Sequence, residues 1–488
     1  MIPAASAWAA PSAGAPGIGD AYYDNYGNGG YDVANYRVAV NYKPSSDLLT
    51  GTTTITAKTT QALKRFNLDF ALDASSVQVN GKPARFNQTD PHELVVTPKT
   101  ALAKGAAMKV DVTYAGVPSA TEVDGYAPWV KTGDGAVAVG EPEIAAWWYP
   151  SNDHPRDKAT FDISATVPTG VEALSNGVLV STKHKSAGDT WRWREKKPMA
   201  TYLAFMAVGQ FDVTSGTTAK GLPWVNAVAS DGGSEGAFAK ADLARTPEVI
   251  DFLAKQWGPY PFDAAGGVAP KADFGFALEN QTRPVYTRGF WDEGSNIYVV
   301  VHENVHQWYG DSVSVDQWKD IWLNEGFASF GEWIWSEEHG EGTGQQLLTA
   351  YYNQYPSTSS FWDLRIGDPG KGKEFSGAVY DRGAMTLQAL RNRIGNPAFF
   401  SVMRSWAAKH RYKNGSIPQF IALAEKSSGE DLGSFFDAWL YTDKKPAATP
   451  ENGFPAGFAK KAATARESAP NPSKAKIDAV HKGLLDAR

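Results

Sequence analysis

The sequence predicts a multidomain α+β chain: an antiparallel β domain of saddle or sandwich type, followed by a mainly α domain with a small sheet. Three observations carry this. Residues 31–215 alternate apolar and polar side chains between clusters of turn residues. After residue 216 the apolar spacing turns helical, and within the helical part stands His302-Glu303-Asn304-Val305-His306, with Glu325 beyond it. A length of 488 residues is more than one ordinary core accommodates. We divide the chain into residues 1–20, a leader stub or disordered tail; 21–215, the β domain; 216–443, the α-rich domain; and 444–488, a C-terminal tail.

The first residues are rich in Ala, Pro, Ser and Gly, and Ala7-Trp8-Ala9 has the small-x-small form of a signal-peptidase site. No charged region or long apolar region precedes it, so a truncated secretory leader and a plain tail both fit. A leader makes the protein secreted or extracellular, in a bacterium; without one it is cytoplasmic. Period-two alternation places strands at 36–42, 52–58 and 109–114, with further strands at 160–167 and 201–208. Pro44-Ser45-Ser46-Asp47, Asn80-Gly81-Lys82-Pro83 and Asn176-Gly177 supply turns. A strand at 224–229 leads into a helix at 236–257 and an extended run through Asn280. Two helices follow, one carrying His302 and His306 and the second at 321–335, then helices at 343–355, 380–394, 397–409 and 418–440. Lys444-Lys445-Pro446-Ala447-Ala448 opens the tail.

Composition narrows the function. A chain that is 42% apolar and 12% aromatic is packed rather than disordered. Its net charge of −6 comes from mixed signs and leaves no basic footprint, which argues against nucleic acid or an anionic membrane as partner. No run approaches the ~20 apolar residues of a spanning helix. With no cysteine, His and carboxylates are the strong metal ligands available.

On a helix, His302 and His306 stand one turn apart, offset by roughly 40° about the axis, so both imidazoles reach one ion. Glu325 follows His306 after eighteen intervening residues, giving HExxH-x18-E. Two imidazoles and a carboxylate suit one tetrahedral Zn²⁺ per chain that keeps a position open for water. Glu303, beside the first ligand, is placed to take that water's proton. A bare HExxH also arises by chance on surface helices. Here the preceding Ile297-Tyr298-Val299-Val300-Val301 points to a buried helix, and Glu325 falls in an apolar-aromatic segment where a lone carboxylate is costly. The other six histidines are scattered.

Four ordered motifs then resemble the aminopeptidase N family of zinc peptidases, over residues 31–440. One is HExxH-x18-E itself; thermolysin-like endopeptidases place the glutamate one residue later. The second is Phe276-Ala277-Leu278-Glu279-Asn280, where the family carries GAMEN. The third is Tyr380-Asp381-Arg382-Gly383-Ala384, similar to Tyr-x-Lys-Gly. The fourth is Glu141-Pro142 with Tyr149-Pro150-Ser151-Asn152-Asp153-His154-Pro155, similar to QFEP…FPCWDEP. The resemblance implies a thermolysin-like catalytic domain and a monomer that cleaves peptides with a free N-terminus. It makes Glu279 and Glu141 the anchors of the substrate's ammonium, with Ala277 and Asn280 beside them. It makes Tyr380 the phenol that donates to the developing oxyanion, and Phe375 a wall of the pocket for the first side chain. The residues alone leave alternatives: Glu141 as a solvated loop carboxylate, Tyr380 as a core anchor, which is the commoner role of a Tyr at a helix start, and Phe375 as a cap on the core.

The departures are as informative. Phe276 replaces a family glycine, Val139 a glutamine and Arg382 a lysine; Asn304 within HENVH is expected on the outer face; no large C-terminal helical domain follows. Two alternatives stand beside the peptidase reading: an epoxide hydrolase on the same fold, and a catalytically inactive binding module.

Overall fold

The computed structural model describes residues 10–90, 92–458 and 472–485. They form two compact units, Met1–Gln210 and Phe211–Arg488. The leader-like Ala7-Trp8-Ala9 lies outside the described residues. The rest of the expected leader or tail does not behave as one: Ser12–Ala13 pairs with Leu63–Asp69, and Asp20 binds the buried His154 at 3.1 Å.

In the first unit, alternation becomes sheet because it turns one face of each strand into a core. Tyr31–Lys43 buries every second residue along most of its length and pairs antiparallel with Leu48–Thr59. Between them Asp47, at φ 54°, accepts from Tyr42 Oη (2.6 Å) and Trp129 Nε1 (3.2 Å). Asn80 and Gly81, at φ 50° and 73°, form the left-handed pair that a two-residue hairpin favours. The main sheet has eight strands in the order Val178–Lys185, Gly188–Met199, Ala159–Val167, Tyr31–Lys43, Leu48–Thr59, Ala107–Gly116, Asp73–Val79, Lys82–Pro83. Two four-stranded sheets accompany it. The expected all-antiparallel pattern fails at one pair in the main sheet, since Ala159–Val167 runs parallel to Tyr31–Lys43. More than a hundred residues of intervening chain supply the crossover that parallel pairing needs. The strand expected at 201–208 is also shorter. Thr201–Leu203 is a 3₁₀ turn and the strand is Met206–Gly209. Asn176 takes over the backbone there, donating to Leu203 O (2.9 Å) and accepting from Phe205 N (3.0 Å), so no ladder is required.

The second unit begins earlier than expected, because Phe211–Thr217 pairs with Pro223–Ala229. Its five-stranded sheet continues through Ala265–Ala269 and Val285–Tyr286 to Ala277–Leu278 at the edge. The helices are α1 Gly233–Leu243, α2 Thr246–Trp257, α3 Ile297–Val305, α4 Trp322–Glu338, α5 Gly344–Gln354, α6 Gly377–Ile394, α7 Asn396–Lys409, α8 Ile417–Ser428, one-turn α9 Gly433–Phe436 and α10 Pro472–Leu485. The helix expected at 236–257 is two, since Pro247 sits in the first turn of α2, where it can start a helix but not continue one. The helix expected at 418–440 stops at Gly429, which takes the left-handed cap at φ 73°. The tail expected after residue 443 is partly structured, because α10 buries Ile477, Val480, His481 and Leu484. Among the described residues no helix is long and apolar enough to cross a membrane.

Asp153 in the first unit is wholly buried and accepts from Thr201 Oγ1 at 2.5 Å. Burial raises its pKa from the ordinary 3.8 to about 7, against the pull of that hydrogen bond. The fold therefore keeps a proton that the open chain has released, and stability is lost as pH rises from the unfolded value toward about 7. Asp153→Asn, neutral throughout, gains on wild type by something on the order of 2 kcal/mol between about pH 5 and about pH 8. Calorimetric Tm at the two pH values measures this; a constant gap between the proteins contradicts it.

Candidate active site

α3 is apolar on all sides except where its chemistry lies, and every one of its residues is buried. His302 is in its last turn, and His306 follows as the helix ends. Glu325 sits in the first turn of α4. The structure brings the three together. Glu325 Oε2 is 3.4 Å from His302 Nε2 and 3.4 Å from His306 Nε2, with no residue of the three more than 2% exposed. With ligand bonds of about 2.0–2.1 Å, the edge of a zinc tetrahedron is roughly 3.3–3.4 Å. The donors are therefore spaced as a zinc ion requires.

The far side of each ring is fixed as well. His306 Nδ1 lies 3.0 Å from Tyr309 O. A carbonyl only accepts, so Nδ1 carries a hydrogen and Nε2 is the nitrogen left to bind a metal. His302 Nδ1 lies 2.5 Å from Glu332 Oε1, with the same consequence. Glu332 is seven residues beyond Glu325, so it shares the inner face of α4. No motif marks it in the sequence, although what points to Glu325 points to it equally: both are carboxylates in the same apolar-aromatic helix.

Glu303 is buried, and its Oε1 has no hydrogen-bond partner among the described residues. Burial raises its pKa to about 7; His302 and His306 oppose this, while Glu279 and Glu325 add to it. A base near neutrality is suited to moving protons at physiological pH. Glu279 stands beside it: one donor atom each of Glu279, Glu303 and His306 lie within 4.8 Å of one another. A residue outside the motifs holds Glu279 there. Gln307, the neighbour of His306, donates from Nε2 to Glu279 O (3.0 Å) and accepts at Oε1 from Thr282 N (2.7 Å). One amide thus ties the edge strand Ala277–Leu278 and its following loop to the metal helix. Asn280 is buried in that loop.

Tyr380 is buried in the first turn of α6, its ring 6.0 Å from that of His302 and tilted by 23°. What sets this approach is a glycine pair. A Cβ on Gly383 would come within 2.6 Å of Gly326 Cα, and one on Gly326 within 2.9 Å of Gly383 Cα. The α4 and α6 backbones therefore touch, one residue after Glu325 and three after Tyr380.

Phe375, Phe276 and Glu141 complete the residues that the motifs single out. Phe375 is half-buried in the turn before α6. Phe276 is half-exposed and meets Phe274 edge-on, ring centres 4.9 Å apart. Glu141 is buried in the first unit, at a cis Glu141–Pro142 peptide. One expectation needs correction. Asn304 does not face outward; it is buried and its Nδ2 donates to Val300 O at 2.8 Å, because α3 has no outer face. Arg382 keeps the charge of the lysine it replaces and adds a structural part. Its guanidinium donates to the carbonyls of Trp362, Leu364, Ala438, Trp439 and Thr442, lashing two chain segments to α6.

Comparison with known proteins finds zinc peptidases and aminopeptidases. Residues 32–203 match the Peptidase M1 N-terminal domain, and residues 287–439 match the Peptidase family M1 domain. Aminopeptidase M1 of Arabidopsis thaliana is 29% identical over 349 residues, which cover 67% of this chain and 38% of that protein. Glutamyl aminopeptidase of Homo sapiens is 30% identical over 323 residues, covering 61% and 33%. The chain thus spans well under half the length of these relatives. The crystal structure of an M1 zinc metallopeptidase from Deinococcus radiodurans superposes with a TM-score of 0.78 at 25% identity, covering 88% of this chain and 99% of that one. A mutant of it bound to a Tyr-Ser-Ala substrate gives 0.79, covering 88% and 100%.

The glycine pair yields a test with opposed effects. Alanine in a helix interior ordinarily stabilises by about 1 kcal/mol over glycine. At Gly383 the new Cβ meets backbone rather than a flexible tip, and overpacking of that kind costs about 1–3 kcal/mol. Gly383→Ala is expected to lower Tm and to weaken turnover by displacing Tyr380 from Glu325. A variant as stable and as active as wild type contradicts the close crossing.

Proposed function

The chain belongs to peptidase family M1, and from that premise we propose that it is a monomeric zinc aminopeptidase, hydrolysing the first residue from peptides with a free amino end. The observation that carries the proposal is Glu279. It is a buried carboxylate outside the three-donor set, yet close to both the base and a ligand histidine. A second anion there suits a substrate that brings a cation, because a desolvated ammonium needs anionic partners. An interior peptide bond brings none.

His302, His306 and Glu325 would hold the zinc, which when bound supplies a Lewis acid that polarises a carbonyl and makes water nucleophilic at neutral pH. The protein's part follows from its own atoms. Glu279 fixes the α-ammonium and so sets which carbonyl enters the site; Glu141 keeps the anchoring role that its motif implies. Glu303 takes the proton of the attacking water at its carboxylate and returns it to the departing amine nitrogen. The Tyr380 phenol donates to the oxygen on which negative charge develops. Ala277 and Asn280 border the peptide along the sheet edge, and Phe375 borders the first side chain. The complete donor set with its base favours catalysis over the inactive scaffold considered above.

Glu303→Gln is expected to retain one zinc per chain and to lose turnover of an aminoacyl anilide by roughly 10²–10⁴-fold. Metal analysis and steady-state kinetics on one preparation check both halves; near-normal kcat contradicts the assignment of the base. Peptides capped by an N-acetyl group are expected to resist cleavage, and Glu279→Gln to raise KM for free-amine substrates. Equal rates on capped and uncapped peptides would sink the exopeptidase reading. Secretion is proposed from the leader-like start alone, and N-terminal sequencing of protein recovered from culture medium tests it.

A further inference from the structure

The last helix enters the site from a direction that the motifs do not cover. α10 lies beyond residues 287–439, where the family domain matches, and packs against both α3 and α6. Among its buried residues is His481, 4% exposed. His481 Nδ1 lies 2.7 Å from Asp381 Oδ1, and Nε2 lies 3.2 Å from Glu332 Oε1. Glu332 Oε1 is the same atom that holds His302 Nδ1. Asp381 is the neighbour of Tyr380 on α6, and its Oδ2 accepts from Tyr355 Oη at 3.0 Å. One continuous path therefore runs Asp381, His481, Glu332, His302, and joins the two helices whose crossing assembles the site.

We propose that His481 is a positioning residue for the metal centre: it bridges Glu332 and Asp381, and so orients the ligand His302 and fixes the Tyr380 turn of α6 against α4. A carboxylate oxygen only accepts, so each ring nitrogen facing one carries a hydrogen and the ring is an imidazolium. Burial opposes that charge, but Glu332 and Asp381 outweigh it and raise the pKa to about 10. A cation here has two effects. It compensates two buried carboxylates. It also keeps Glu332 an ionised acceptor, so that His302 donates from Nδ1 and presents its Nε2 lone pair to a metal. The ring of His481 additionally lies 5.7 Å from that of Tyr380, which places the same side chain behind both halves of the site.

A merely structural histidine, one that only anchors α10, gives a different set of results, and zinc affinity separates the two. The inference rests on the zinc reading of the site; wild-type protein that binds no zinc refutes that reading, whereas the variants test the inference itself. His481→Gln keeps much of the volume and loses the bridging charge. Lys482→Ala, exposed on the same helix, serves as control. Zinc dissociation constants are measured by competition with a chromogenic chelator, alongside Tm of the metal-free and zinc-loaded forms. His481→Gln is expected to bind zinc weaker by about tenfold or more, with kcat falling further than KM rises and with Lys482→Ala unchanged. A smaller loss of affinity, or an equal fall in Tm with and without zinc, overturns the proposal. Should His481→Gln fail to fold, Asp381→Asn gives the same reading without altering α10.

Discussion

Glu325 Oε2 stands equally close to the Nε2 atoms of His302 and His306, and all three residues are buried. Burying a carboxylate costs several kcal/mol unless a cation shares the burial. The chain meets that constraint by surrounding the point with charge of both signs. Burial lowers the pKa of His306, but Glu325 and Glu279 outweigh it and leave it well raised. Burial would raise Glu325, yet the two histidines pull it down. The same electrostatics that let imidazolium hold this trio let a divalent cation hold it better, with release of protons as it binds.

Everything near the site serves to keep these groups from escaping to water or to other partners. Gly326 and Gly383 bring α4 and α6 into backbone contact, so Glu325 and Tyr380 face one space. Gln307 clamps the edge strand carrying Glu279 to the metal helix. Glu332 and the Tyr309 carbonyl fix the tautomer of each ligand ring. Arg382 draws residues 362–364 and 438–442 onto α6 and so closes the unit around it. Positioning is bought here with buried hydrogen bonds, each of which is expensive to leave unmade.

Some of this was legible in the sequence and some was not, for identifiable reasons. HExxH-x18-E is read from local spacing, because helix geometry alone puts His302 and His306 on one face. The fold class came through because periods of two and of 3.6 separate the halves cleanly. Glu332 was readable by the rule applied to Glu325 and was missed because it belongs to no familiar motif. His481 is 149 residues from Glu332, and no local pattern links them. Even so, Ile477, Val480, His481 and Leu484 fall at helical spacing, a signal masked by the Lys/Pro/Ala composition upstream. The parallel pair of Ala159–Val167 with Tyr31–Lys43 lies beyond local patterning altogether, since alternation does not encode which strand a strand will neighbour.

The central claim is that the three donors are set for zinc by the fold before the ion arrives. A crystal structure of the zinc-loaded protein, with diffraction recorded on both sides of the zinc absorption edge, tests this most directly. The account expects one anomalous peak bound by His302 Nε2, His306 Nε2 and Glu325 Oε2. It also expects these atoms, with Glu332 and Gln307 behind them, to stay within about 0.5 Å of the positions described above. A peak at any other set of residues, or donors that must swing into new rotamers to reach the ion, contradicts it.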